Sequence, residues 1–320
     1  MDSDRKPRTL LEAIRYFGRP GVALEYMKGL RWPDGVSCPD CGACEGDVYF
    51  MASVERWKCR PCKRQFSVKV GTVMEDSPIK LDKWLAAIWL IANAKNGISS
   101  YEIHRALGVT QKTAWFLLHR IRLAMSDGGF VAPQFSGSAP VESDETFVGG
   151  KVKNMSKSKR AQLKAAGKNF ERKAIVMGLL ERGGEVRAGV VPDTTAATLG
   201  AVIEAHVPEG SQVFTDENPS YHGKFMSAFV HEYVNHVDEY VRGQVHTNGI
   251  ENFWSLLKRC LNGTYISVEP FHLGAYVDEQ VYRYNNRKKN DGQRFDKVLG
   301  RVAGKRLTYK GLVGAMEAER

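Results

Sequence analysis

Five of the chain's six cysteines fall between Cys38 and Cys62, and Cys260 stands alone. Cys38-Pro-Asp-Cys41 and Cys59-Arg-Pro-Cys62 are two C-x-x-C knuckles with seventeen residues between Cys41 and Cys59. That spacing fits a four-cysteine zinc site. Zinc takes four thiolates in a tetrahedron, and two short turns can each offer two. Such a closed site leaves no position for a substrate, so its Zn²⁺ is structural. Cys44 lies three residues after Cys41 and competes for the first knuckle. Cys38 with Cys41 is preferred, because Gly42 leaves space for the backbone to fold over the thiolate. Arg56, Lys58, Arg60, Lys63 and Arg64 crowd the second knuckle and suit contact with DNA phosphates.

A second set of residues is acidic. Asp144 lies in SDETFVGG on a predicted strand, and Asp216 in VFTDENPSY where a strand ends. Glu251 lies in HTNGIENFWSLLKR on a predicted helix. Two strand-borne aspartates and a helix-borne glutamate can converge at the end of a sheet and hold two Mg²⁺ (or Mn²⁺) ions. Such ions activate a water or a 3′-hydroxyl and stabilise the leaving oxygen of a phosphodiester. Lys258 follows Glu251 by about two helical turns, so the two share a face, and Asn248 joins that stripe one turn earlier. Lys258 is then placed to reach a phosphate, while Phe253, Trp254 and Leu257 face the core. Any single carboxylate among the chain's 36 is by default a solvated surface charge. Their joint placement with Lys258 lifts these three. A glutamate binds Mg²⁺ better than an amide, which favours Glu251 over Asn248 as third ligand and leaves Asn248 as the alternative. His246, just before the helix, reads first as a capping or core residue, and Cys260 as a buried one.

The elements that must position these residues follow from periodicity. Residues 1–30 form an N-terminal helical segment, 31–75 a zinc ribbon, and 79–127 a helix-turn-helix region. In the last, Ser99 or Ser100 caps a first helix and Gly108-Val109 turns the chain. Thr110 then opens a second helix, whose Gln111, Lys112 and Thr113 are placed to face DNA. Residues 128–140, rich in Gly, Ser and Pro, read as a linker. From 141 to 290 the pattern becomes strands and helices. A strand is predicted over 141–150, and a hairpin over 174–182 and 185–191 around Gly183-Gly184. A helix over 194–206, a strand ending at Asp216, a helix near 219–228 and a strand near 229–234 follow. Long helices close the region at about 248–261 and 270–289. This order suits a mixed sheet with helices on its faces, compatible with a ribonuclease-H-like core. Residues 291–320 read as a basic C-terminal tail. The fold class expected is multidomain α+β.

Net charge is +10, which favours a polyanionic partner, nucleic acid first. Nine Lys or Arg and one acid lie between Lys151 and Lys173. Lys157, Lys159 and Arg160 are candidate DNA contacts there, as are Arg283 and Arg287 in a later basic run. Hydrophobic residues at 43% exclude a disordered chain. No apolar run is long enough to span a bilayer, and the first residues lack a signal-peptide core. A cytoplasmic location is expected, nucleoid-associated when DNA is bound.

HTNGIENFWSLLKRCLNGTY followed by YVDEQVYRYNNR resembles bacterial and archaeal insertion-sequence transposases of the ISXO2-like type, as do SDETFVGGK, FTDENPSY and the two knuckles. These pair an N-terminal zinc ribbon with a DDE catalytic domain. The resemblance covers about residues 20–290. It implies a ribonuclease-H-like fold, cleavage at terminal inverted repeats and strand transfer into target DNA. It also implies Asp144, Asp216 and Glu251 as the acidic triad. Cutting two ends together implies a homodimer or larger synaptic assembly. A domesticated DNA-binding regulator without catalysis and a ribonuclease-H-like nuclease that cuts without joining are the competing expectations.

Overall fold

Short amphipathic helices open the chain in the computed structural model, which describes residues 6–44, 46–127, 129–149, 157–158, 161, 165, 173–234 and 245–314. Two units divide it: 1–125 with 286–320, and 126–285. In the first unit α1 (Leu10–Phe17) is capped by Thr9, and α2 (Val22–Arg31) follows. A three-stranded antiparallel sheet comes next, β1 (Val48–Met51), β2 (Arg56–Cys59) and β3 (Gln65–Phe66). Trp57 stacks on Phe66 there, with Trp32 edge-on to both rings. Helix α3 (Leu81–Asn93) buries Trp84, Leu85, Ile88, Trp89 and Ile91 and forms the unit's centre. Helix α4 (Ser100–Leu107) starts with a Ser99–Glu102 capping box, which satisfies two otherwise free N–H groups. It stops at Gly108, and Thr110 opens α5 (Gln111–Met125) by accepting the Thr113 N–H.

The second unit holds a five-stranded mixed sheet. Its elements are β4 (Val141–Val148), β5 (Ala174–Glu181), β6 (Val186–Val191), α6 (Ala196–His206), β7 (Gln212–Thr215), β8 (Val230–Tyr233), α7 (Asn248–Arg259) and α8 (Leu273–Asn285). Strand order is β6-β5-β4-β7-β8. β4, β5 and β6 run antiparallel, while β7 runs parallel to both β4 and β8. Side chains alternate between faces along a strand. Accordingly Val176 and Leu180 pack with Ile250, Phe253, Trp254 and Val277, whereas Met177 and Leu179 pack with Leu199, Ile203 and Tyr221. Helices thus cover both faces, as in a ribonuclease-H-like core.

Four stretches differ from their sequence reading. Residues 219–228 form two 3-10 turns, Pro219–His222 and Lys224–Ala228, because Gly223 between them is extended and breaks any helix. Helix α7 passes at Arg259 into a π turn, Cys260–Tyr265. Phe135, in the Gly/Ser/Pro-rich stretch, is buried in the second unit's core. After Asn285 the chain rejoins the first unit through α9 (Asp291–Leu299) and α10 (Tyr309–Leu312), where a basic tail was expected. The reason is apolar: Phe295, Val298, Leu299 and Val302 are buried, and Phe295 packs on Phe17 and Trp89.

Candidate active site and metal centre

Parallel pairing of β4 with β7 leads both aspartates toward the same end of the sheet. Val141 and Glu142 of β4 pair with Val213 and Phe214 of β7, and each aspartate follows its strand's last residue in that pairing by two positions, near enough for the Asp216 charge to act on Asp144. Neighbouring strands lie about 4.8 Å apart. Asp144 is pushed up to about 7, first by burial, then by repulsion from Asp216 and Glu145. Trp254 Nε1 donates to Asp144 Oδ2 at 2.9 Å and partly opposes that rise. Gly178 pairs with Asp144 on β5, and a Cβ there would come within 2.7–2.8 Å of Ile250 and Trp254. Glycine therefore lets α7 approach the sheet closely enough for the tryptophan to reach the aspartate. On the other face Glu145 accepts from Tyr221 Oη at 2.6 Å and from Asn218 Nδ2, and the Asn218 N–H donates to Asp216 Oδ1 at 3.0 Å. The Asp216 turn is thereby tied to β4.

Helix α7 buries Ile250, Phe253, Trp254 and Leu257 and presents Asn248, Glu251 and Lys258 to solvent. Thr247 Oγ1 donates to Glu251 Oε1 at 2.9 Å. Two residues the sequence reading did not select anchor the helix entry. Glu142, 1% exposed, accepts the Ile250 N–H at 2.9 Å and Arg182 Nε at 2.7 Å. Arg182 Nη2 donates to the carbonyl of His246 at 2.7 Å and to its Nδ1 at 2.9 Å. The available signal was strand alternation, which puts Glu142 on the same face as Asp144.

Two carboxylates whose charges repel one another offer hard oxygen donors, which suits Mg²⁺ or Mn²⁺. Among the described residues, the group of three or more such ligands drawn within 4.8 Å of one another is a different one. It is Cys38, Cys41, Cys59 and Cys62, in the ribbon. Cys38 Sγ lies 3.6 Å from Cys62 Sγ, and Cys41 Sγ 3.5 Å from Cys59 Sγ. Four convergent thiols are a structural zinc donor set. Exposed Cys44 turns its thiol to the Gly42 carbonyl, 3.2 Å away.

The remaining candidates divide. Gln111 donates to Ser100 Oγ at 2.9 Å, Lys112 lies over the Tyr309 ring at 4.6 Å, and Thr113 Oγ1 bonds Thr110 Oγ1 at 2.8 Å. Lys112, Lys157 and Arg287 are exposed. Lys159 and Arg160 lie outside the described residues. Arg283 was expected to face DNA but is buried against the equally buried Glu279, to which Tyr265 also donates. It belongs to a stretch of α8 that is buried on most of its sides, and its charge is used inside the fold.

Comparison with known proteins adds lineage to this geometry. Residues 134–285 match the ISXO2-like transposase domain, and residues 21–65 the transposase zinc-ribbon domain. An uncharacterized protein in transposable element ISH50 of Halobacterium salinarum is 30% identical over 258 residues, 78% of this chain and 85% of that protein. A transposase-like protein of Haemophilus influenzae is 35% identical over 97 residues, 30% of this chain and 78% of that one.

Proposed function

Because the chain belongs to the ISXO2-like transposase family, we propose that it binds the terminal inverted repeats of an insertion sequence, cuts there and joins the ends to target DNA. The observation that carries this reading is that parallel strands β4 and β7 lead to Asp144 and Asp216, with Asp144 raised to about 7 by burial and by the charges of Asp216 and Glu145. A divalent Mg²⁺ or Mn²⁺ bound there supplies activation of a water or 3′-hydroxyl and charge neutralisation at the leaving oxygen. Asp144 and Asp216 are its proposed ligands. Glu251 is the proposed third, with Asn248 on the same helical face as the alternative. Trp254 orients the Asp144 carboxylate, and Lys258 binds a phosphate further along α7. The zinc ribbon and the α4–α5 pair, with Gln111, Lys112 and Thr113, hold the element end, and Lys157 and Arg287 contact backbone phosphates. Two ends are cut together, so the working form on DNA is a homodimer or larger assembly.

The test uses linear DNA carrying the element's own ends, with Mg²⁺ or Mn²⁺. Nicked and joined products are expected from the wild type. Asp144→Asn and Asp216→Asn are expected to bind the DNA and yield neither product. Cutting by Asp144→Asn at the wild-type rate would refute the assignment.

A further inference from the structure

Helix α7 has no cap of its own. The first four N–H groups of a helix lack acceptors within it. Thr247, at the cap position, makes no side-chain cap bond and gives its hydroxyl to Glu251. The Ile250 N–H is met from another element, by Glu142 Oε2 on β4. A carboxylate at that end also complements the helix dipole. Glu142 is in turn held by Arg182, whose second nitrogen binds both the carbonyl and the ring of His246. The guanidinium lies 4.6 Å from the centre of the Phe214 ring on β7.

One ion pair, with Glu142 buried and Arg182 half-buried, therefore touches all three elements of the acidic site. Glu142 is two residues before Asp144, Phe214 two before Asp216, and Ile250 one before Glu251. The spacing forms a ladder. Ile250 and Trp254 are separated by about 6 Å along the helix, and Glu142 and Asp144 by about 6.6 Å along the strand. Glu142 to the Ile250 N–H is one rung, and Asp144 to Trp254 Nε1 is the other. Contact is close, since a Cβ on Gly249 would reach within 2.5 Å of Leu180 and 2.7 Å of Glu142. Buried ion pairs are weak devices for stability, because apolar residues of similar size often serve as well. They do fix position.

We infer that Glu142 and Arg182 are positioning residues, a cap supplied in trans by β4 and locked by a guanidinium, which sets where α7 presents Asn248 and Glu251 relative to Asp144. The inference rests on the transposase reading of the acidic site.

The experiment uses the full chain with Glu142→Ala, Glu142→Gln and the apolar pair Glu142→Leu with Arg182→Met. Hydrogen exchange of the amides of residues 248–251 is followed without added divalent metal, and Mn²⁺ affinity is measured from the free-ion EPR signal. Glu142→Ala is expected to speed exchange at Ile250 and weaken Mn²⁺ binding, each about tenfold, as loss of an outer support does. Glu142→Gln keeps an acceptor and is expected to stay within about threefold of wild type on the same scale. If Glu142→Ala does not fold, the apolar pair decides: a folded protein with weakened Mn²⁺ binding supports the clamp. Wild-type exchange and wild-type Mn²⁺ affinity in either folded variant overturn it. If Asp144→Asn binds Mn²⁺ as the wild type does, the reading of the acidic site fails, and the exchange of Ile250 alone decides the clamp.

Discussion

Buried beside Asp216 and Glu145, the Asp144 carboxyl keeps its proton up to about pH 7, whereas an ordinary aspartate loses it near 3.8. The unfolded chain therefore releases this proton first as pH rises. Stability from Asp144 is fully present below about pH 4 and is lost as pH climbs through 7. Without added Mg²⁺ at pH 8, Asp144→Asn should melt above the wild type. The gain is on the order of 2 kcal/mol, discounted from the full shift for partial exposure of the group. The difference should shrink at pH 5 and when Mg²⁺ is added, which differential scanning calorimetry can follow. Trp254→Phe keeps the ring and removes the donor to Asp144. It should move the acid limb of the cleavage pH profile upward, because that hydrogen bond favours the ionised carboxylate.

Within single elements, close approach and metal binding make the next predictions. Gly249→Ala would gain roughly 1 kcal/mol of helix propensity. The added methyl would meet Leu180 and Glu142 inside contact distance, and overpacking of that kind costs about 1–3 kcal/mol. Destabilisation should win in chemical denaturation of the second unit. In the ribbon, Cys59→Ser should release zinc and melt the β1–β3 sheet, read out by fluorescence of Trp32 and Trp57, while the second unit keeps its own transition. Much of this was readable beforehand. The knuckles, the hairpin around Gly183 and the strand carrying Asp144 follow from local spacing, which the chain carries in neighbouring residues. Glu142 with Arg182 and the Trp254 donor are contacts between elements far apart in sequence, and no local pattern reports them. Arg283 was misread for the same reason: its partner Glu279 shares a helix, but the burial of both is decided by packing.

At the scale of the whole molecule, the first unit is discontinuous. Its core takes Phe295 against Phe17 and Trp89, and the Val73 N–H bonds the Val302 carbonyl at 2.9 Å. A chain ending at residue 125 lacks these groups and should expose α1 and α3, with no cooperative thermal transition. Residues 126–285 contain a complete sheet with both faces covered and should melt cooperatively alone. No helix among the described residues is long and apolar enough to cross a membrane. The excess positive charge predicts DNA affinity that falls linearly in log–log plots against salt, measurable by fluorescence anisotropy. The return of residues 286–320 to the first unit also imposes an order on synthesis. As the polypeptide leaves the ribosome, the five-stranded sheet can close first, while the unit holding the four-cysteine cluster waits on 35 further residues, roughly 2–7 s of translation. A nascent molecule thus holds a finished second unit before its first unit can close, and premature termination near the end would yield the second without the first.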